Sequence, residues 1–211
     1  MPARAACLEN TMTEFDPART ALINIHWQYD IVKPEGVFGP FFAEGVERHG
    51  LIAKNARLRK AARAAGAAVI HVRTAFRPGY TDLIVNSPLL ALVEERKALV
   101  EGTRGAELIE ELTPEIGEVV ITHTRLTGFH GTDLDGILRG RGIDTVVFSG
   151  VATDHAVQGT AREAVNHGYR TLIVSDACST TNDEAHQAAL DTFTLLGEIV
   201  TTEDVVAAFS R

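Results

Sequence analysis

Six short runs of apolar and β-branched residues alternate along the chain with stretches in which apolar residues recur every three or four positions. The runs are TALINI (20–25), AAVIHV (67–72), EVVITH (118–123), DTVVFSG (144–150), RTLIVSD (170–176) and EIV (198–200). Strands that are apolar almost throughout are typical of a parallel sheet with helices on both faces. The pattern therefore predicts an α/β protein, a three-layer α/β/α doubly wound domain. No repeat or linker divides it, so we assign residues 1–18 to an N-terminal extension or helix and residues 19–211 to one domain.

Glycines mark the predicted ends of the helices. Gly66, Gly142 and Gly168 each stand between a helical stretch and the next strand, where a left-handed C-terminal cap is expected. One segment, residues 74–87, is long and has no regular pattern. A segment of this kind inside a compact domain is either a binding loop or a plain surface excursion.

The composition limits the partners that the protein can bind. The formal net charge is −8 and no block of five or more Lys or Arg residues occurs, so the basic surface of a nucleic-acid or anionic-membrane binder is missing. We expect a small-molecule substrate, no nucleic acid and no membrane. The two cysteines, Cys7 and Cys178, do not form a disulfide framework. Because the chain shows no signal-peptide core and no apolar run of roughly 20 residues, we expect a soluble, cytoplasmic protein.

The predicted sheet also indicates where a ligand would bind. In open parallel sheets, ligands bind outside the carboxyl ends of the strands, near the point where the strand order reverses. The polar positions that follow the predicted strands are residues 26–30, His71, Arg73, His123, Arg125, residues 150–155 and Asp176. These positions are the first candidates for a functional site.

Three motifs in a fixed order give the chain a specific resemblance. They are TGFHGTDL (127–134), TVVFSGVATD (145–154) and TAREAVNHGYRTLIVSDA (160–177). Together with FDPARTALINIHWQYD (15–30), they resemble the isochorismatase-like superfamily of cysteine hydrolases, which includes nicotinamidases, N-carbamoylsarcosine amidases and isochorismatases. The resemblance implies a six-stranded parallel sheet and assembly into a homo-dimer or homo-tetramer.

The same resemblance implies that the usual catalytic residues have been replaced. The family's amidases use an Asp, a Lys and a nucleophilic Cys, and motif matching places His26, His123 and Ala156 at these three positions. A shift of one residue would instead place His155 at the Cys position. Covalent hydrolysis needs a nucleophile such as a thiolate, and Ala156 has none. An acyl-enzyme intermediate is therefore not expected.

Several hypotheses for the function remain open. The first is a hydrolase of a small cyclic or planar molecule that uses water and non-covalent histidine acid/base catalysis, with His26 as the principal acid/base, as the Asp is in cysteine-less isochorismatases. His123 would orient the substrate, the water or His26. The alternatives are a catalytically inactive ligand-binding homologue and a non-hydrolytic isomerase or lyase. Each histidine taken singly also fits a purely structural role.

We predict no cofactor, with one alternative. Neutral imidazoles bind zinc and similar ions, so His26 and His123 could hold a divalent metal together with His155 or His130. The spacing of these residues is not that of a local metal motif.

Further residues are candidates for contact with the substrate. Trp27 is expected in the core or in an aromatic wall, and Arg73, Arg77 and Tyr80 would bind a carboxylate or cover a planar ring. The remaining candidates are Arg125, Phe129, His130, Val151, Ala152, His155 and Ala156. The GVATD turn further resembles the family's oxyanion hole, and a non-proline cis bond is expected between Val151 and Ala152.

Overall fold

The computed structural model describes residues 14–211, and it confirms the predicted parallel sheet. The strands are β1 (Thr20–Ile25), β2 (Ala68–Thr74), β3 (Val119–His123), β4 (Thr145–Val151), β5 (Arg170–Ser179) and β6 (Glu198–Val200). Most of the predicted N-terminal extension lies outside the described residues. Its last part contains a short 3₁₀ turn, Pro17–Arg19, directly before β1.

The strand order is β3-β2-β1-β4-β5-β6, and every neighbouring pair is parallel. The chain builds outward from β1 to β2 and β3, and then returns to place β4 on the other side of β1. The strand order therefore reverses between β1 and β4. In this doubly wound arrangement, the carboxyl ends beside the reversal form the expected ligand crevice.

Eight α-helices lie within the described residues. They are α1 (Tyr29–Val32), α2 (Gly39–Arg48), α3 (Leu51–Ala64), α4 (Pro88–Glu95), α5 (Leu134–Gly140), α6 (Gln158–Asn166), α7 (Asp183–Phe193) and α8 (Thr202–Phe209). None of the helices in residues 14–211 combines the length and apolarity that crossing a membrane requires.

Two apolar clusters cover the faces of the sheet. Helices α5, α6 and α7 pack on one face, against side chains such as Ile23 and Phe148, whereas α3 and α8 pack on the other, against Leu22 and Val147. Alternate residues of β1 and β4 therefore point to opposite layers and are buried in both, which explains why these strands are apolar throughout.

The three predicted glycine caps are confirmed. Gly66, Gly142 and Gly168 have φ values of 76°, 70° and 88°, and each follows the last turn of a helix. A residue with a side chain is strained in this left-handed region, so glycine ends the helix there at low cost.

A third apolar cluster lies at the carboxyl end of the sheet, beneath α1, α2 and α4. Two side-chain contacts hold these pieces in place. The carboxylate of Asp30 accepts a hydrogen bond from the Leu99 amide at 2.9 Å, which ties α1 to the segment after α4. The Gln28 side chain accepts from the Thr74 amide at 2.9 Å and donates to the Thr74 carbonyl at 2.7 Å, which fixes the end of β2.

Candidate active site

A cavity of about 130 Å³ opens at the carboxyl end of the sheet. It is lined by His26, Ile31, Phe38, Phe42, Thr74, Phe76, Leu89, Leu90, Val93, Leu99, His123, Arg125, Leu126, Val151, Ala152, His155 and Ala156. The predicted irregular segment 74–87 contributes Thr74 and Phe76, and α4 supplies much of the apolar wall. The cavity lies where the reversal of strand order predicts a ligand site.

The ends of β1 and β3 bring His26 and His123 together. These strands lie on either side of β2, and His123 pairs in register with Thr74, the last residue of β2. His26 follows the end of β1 with a left-handed φ of 57°, and its amide donates to the Val72 carbonyl at 2.9 Å. The two side chains are 9% and 2% exposed, so both imidazoles are buried in the cavity wall.

The two imidazoles form a hydrogen-bonded pair. Nε2 of His26 lies 2.7 Å from Nε2 of His123, and the rings are nearly parallel, with centroids 4.9 Å apart and an interplanar angle of 13°. Nδ1 of His123 lies 2.7 Å from the carbonyl oxygen of Arg125. We call these two side chains the histidine pair.

The Arg125 carbonyl determines which ring nitrogens carry protons. A carbonyl oxygen only accepts hydrogen bonds, so Nδ1 of His123 must carry a proton and donate it. Nε2 of a neutral His123 is then an acceptor, and Nε2 of His26 must be the donor between the rings. Nδ1 of His26 is left with a free lone pair, and no partner for it occurs within the described residues.

Burial keeps both imidazoles neutral. Burial, together with the nearby His123, lowers the pKa of His26 well below 6.5. Burial lowers the pKa of His123 to about 4, although the hydrogen bond to Arg125 opposes the change. A neutral pair at pH 7 is equipped to take up a proton and is poorly equipped to act as a resting acid.

No thiol of the described residues lines the cavity. Ala156, the residue that motif matching aligns with the expected cysteine, contributes only a methyl group to the wall. Cys178 is buried on β5, and burial raises the pKa of its thiol to about 12. A neutral thiol at that place is not a nucleophile, and Cys7 lies outside the described residues.

The turn after β4 forms another part of the wall. The predicted cis bond between Val151 and Ala152 is present, and both residues line the cavity. The Ala152 carbonyl accepts from the amides of His155 and Val157 at 3.2 and 3.1 Å. Those two amides are therefore already engaged, and an oxyanion hole at this turn would need other donors.

Two predicted contact residues with basic side chains lie at the edge of the cavity. Arg125 is partly buried and donates from Nη1 to the Thr124 carbonyl at 2.9 Å. The side chain of His155 is 62% exposed and lies 2.9 Å from the Asp154 carboxylate. Both residues line the cavity, but solvent reaches both.

The other predicted contact residues do not line the cavity. Trp27 is 1% exposed in the core cluster beneath α1, Phe129 stacks on His167 and Tyr169 in the core, and His130 is exposed. Trp27 therefore has the packing role that its sequence position allowed, and it forms no aromatic wall.

The residues predicted to bind a carboxylate also do not line the cavity. Arg73 donates to Thr122 at 3.0 Å and to Glu107 at 3.1 Å. The Tyr80 hydroxyl donates to the Ala98 carbonyl at 2.8 Å, and Arg77 is exposed. Because these side chains have protein partners or face solvent, they do not supply a carboxylate clamp inside this cavity.

The apolar wall is the part of the site that the sequence did not single out. Phe38, Phe42, Phe76, Leu90 and Val93 line the cavity. Their spacing in helices and loops is the same as that of ordinary core residues, so the pattern carries no separate signal for them.

The donors present do not match those of a zinc site. Zinc is held by three or four protein ligands, whereas residues 14–211 contain no group of three or more His, Cys, Asp or Glu side chains that could hold a metal ion. The facing Nε2 atoms are hydrogen-bonded to each other, and Nδ1 of His123 is hydrogen-bonded to the Arg125 carbonyl. The zinc alternative therefore has two candidate ligands and remains a prediction.

Comparison with known proteins confirms the family resemblance that the sequence motifs indicated. A family model described as the isochorismatase domain matches residues 20–204. The chain is 32% identical over 188 residues to ureidoacrylate amidohydrolase from Methylobacterium radiotolerans, covering 83% of this chain and 73% of that one. It is 30% identical over 172 residues to maleamate amidohydrolase from Pseudomonas putida, covering 79% and 77%.

Solved structures share the fold over nearly the whole chain. A cysteine hydrolase from Pseudomonas syringae pv. phaseolicola superposes with a TM-score of 0.85 at 27% identity, covering 94% of this chain and 95% of that one. A pyrazinamidase from Pyrococcus horikoshii in complex with zinc gives a TM-score of 0.71 at 27% identity, covering 87% and 99%.

Proposed function

The chain belongs to the isochorismatase family, and from that premise we propose that it hydrolyses a small molecule without a cysteine nucleophile, using the histidine pair to activate water. The observation that carries the proposal is the hydrogen bond of 2.7 Å between His26 and His123, with His123 anchored on the Arg125 carbonyl. The similarity to amidohydrolases supports cleavage of an amide or a related acyl bond.

His26 is the general base in this proposal. Its Nδ1 lone pair takes a proton from a water molecule in the cavity while the water oxygen attacks the electrophilic carbon of the substrate. The bond to the leaving group then breaks, and the leaving nitrogen or oxygen takes the proton from His26. Atoms and charge balance without a covalent enzyme intermediate.

His123 is a positioning residue. It accepts the Nε2 proton of His26, and this bond keeps the lone pair on Nδ1, where the water has to bind. When His26 takes up a second proton, it becomes a charged donor, and its hydrogen bond to Nε2 of His123 becomes stronger. His123 therefore acts by fixing the tautomer of His26, while burial keeps the protonated state of His26 short-lived.

Variants of the two proposed roles test the function. Uncharged ring-sized substrates such as benzamide and phenyl acetate serve as first probes. Their hydrolysis is measured as the ammonia or phenol released. Replacing His26 by Ala should lower kcat by about 10²- to 10⁴-fold if it acts as a general base. His26→Asn is the matched variant, because asparagine tolerates the left-handed backbone found there.

A cysteine-free variant is the control for the mechanism. The double variant Cys7→Ser and Cys178→Ala should hydrolyse the same substrate at the rate of the unmodified protein. Loss of activity in this folded variant would mean that a thiol does the chemistry. Equal rates in the His26 variants and the unmodified protein would remove His26 from the mechanism.

A further inference from the structure

We propose that the ligand of the cavity is an uncharged molecule with an apolar, ring-sized body and one O–H or N–H donor that binds Nδ1 of His26. This inference rests on the proposed function, because it names the class of molecule that the same site takes. It excludes small carboxylates, which the predicted arginine contacts had suggested.

The shape and lining of the cavity select an apolar body. Aromatic and aliphatic side chains from α1, α2, α4 and the end of β2 form most of the wall, among them Ile31, Phe38, Phe76, Leu90 and Val93. The volume of about 130 Å³ is close to that of apolar cavities of about 150 Å³ that bind benzene. One six-membered ring therefore fills most of the space.

The charges around the cavity disfavour an anion. A buried carboxylate is costly unless a cation pairs with it inside the site. The two basic side chains in the lining are Arg125, which is partly exposed and bonded to Thr124, and His155, which is 62% exposed beside Asp154. The histidine pair is neutral, so it also offers no positive charge.

The proton positions in the histidine pair select a donor. Both ring nitrogens of His123 are engaged, and Nε2 of His26 donates to His123. Nδ1 of His26 is therefore an acceptor that needs an O–H or N–H group. A ligand that carries only acceptors, or none, leaves that lone pair without a partner when it displaces water.

Three probes of nearly equal size separate the effect of the donor on binding from the effect of the negative charge. Phenol carries the ring and one donor, toluene carries the ring without a donor, and benzoate adds a negative charge. Binding is measured at pH 7 by calorimetric titration or by shifts in protein NMR signals, without any turnover. We expect phenol to bind roughly fivefold to tenfold more tightly than toluene, and benzoate to bind at least about a hundredfold more weakly than phenol.

Two variants locate the effects. In His26→Leu the preference for phenol over toluene should disappear. Arg125→Gln keeps the main-chain carbonyl that anchors His123 and removes the guanidinium that lines the cavity. Benzoate should bind to this variant no more weakly than to the unmodified protein.

Three results would overturn the inference: equal binding of phenol and toluene, benzoate binding as tightly as phenol, or no binding of phenol at millimolar concentration. Loss of benzoate binding in Arg125→Gln would then identify an arginine clamp, because that variant keeps the main-chain carbonyl that anchors His123. The proposed function fails separately, through unchanged hydrolysis in the His26 variants. Each failure is therefore recognisable without the other.

Discussion

Replacing His123 by phenylalanine removes the hydrogen-bond acceptor for His26 and keeps a flat ring beside it. In the unmodified protein the two rings lie 4.9 Å apart and nearly parallel, and both are buried. The variant therefore keeps a buried aromatic ring but removes two hydrogen bonds, the one that His123 accepts from His26 and the one that it donates to the Arg125 carbonyl. His123→Gln is the matched control, because its side-chain oxygen restores an acceptor near the same place.

The cost follows from leaving a buried N–H without a partner. Such a group destabilises a protein by about 1–3 kcal/mol, and for a chain of this length each kcal/mol corresponds to about 2–4 °C in Tm. His123→Phe should therefore lower the Tm by about 2–12 °C, and His123→Gln by less. If His26 changes tautomer instead, its Nδ1 becomes a donor and no longer accepts a proton from water, so hydrolysis should fall by about 10²-fold or more.

Urea unfolding followed by circular dichroism measures the stability of the three proteins, and hydrolysis of benzamide or phenyl acetate measures the function. The reasoning would be refuted if His123→Phe were as stable and as active as the unmodified protein. It would also be refuted if the Gln variant lost more stability and more activity than the Phe variant. The acceptor for His26 would then not explain the effects.

Three further outcomes are expected. Because the pKa of His123 is lowered to about 4 and that of His26 well below 6.5, kcat/KM should be constant near pH 7 and fall only as the pH drops through these lowered values. A kcat/KM that instead falls as the pH rises toward 7 would indicate that a protonated histidine acts as an acid. Burial raises the pKa of Glu118, but hydrogen bonds from Arg63 and His71 bring it to about 2. The contribution of Glu118 to stability is therefore present above pH 4.5 and lost toward pH 2. Glu118→Gln should lower the unfolding free energy by about 1–3 kcal/mol at pH 7 and flatten its pH dependence, as measured by urea unfolding. Dialysis against EDTA should leave hydrolysis unchanged, and a loss that zinc restores would support the metal alternative.

The sheet and the location of the site could be predicted because both follow from strong local signals. The apolar run from Thr20 to Ile25 is buried at every position, and such a run forms a central strand in almost any α/β context. The rule that ligands bind at the carboxyl ends of strands selected four of the eight histidines, His26, His71, His123 and His155. The family resemblance then singled out His26 and His123. In the structure, these two histidines line the same cavity.

The chemistry of the site could not be predicted from the residue types. The proton positions of the histidine pair depend on one main-chain carbonyl, that of Arg125, and any residue at that position supplies the same group. Arg73 and Tyr80 looked available for a ligand, but their polar atoms bond to Glu107 and Ala98 through contacts between segments distant in sequence. Such contacts follow from the packed structure and leave no local pattern.

The imidazole nitrogens of the histidine pair give the most direct test of the central claim. Nitrogen-15 NMR of protein labelled at histidine reports the protonation and the tautomer of each ring, and the variants His26→Asn and His123→Gln assign the signals. At pH 7 we predict two neutral rings, with the proton on Nδ1 of His123 and on Nε2 of His26, and charging only below pH 6.5. An imidazolium at pH 7 in either ring, or a proton on Nε2 of a neutral His123, would contradict the account.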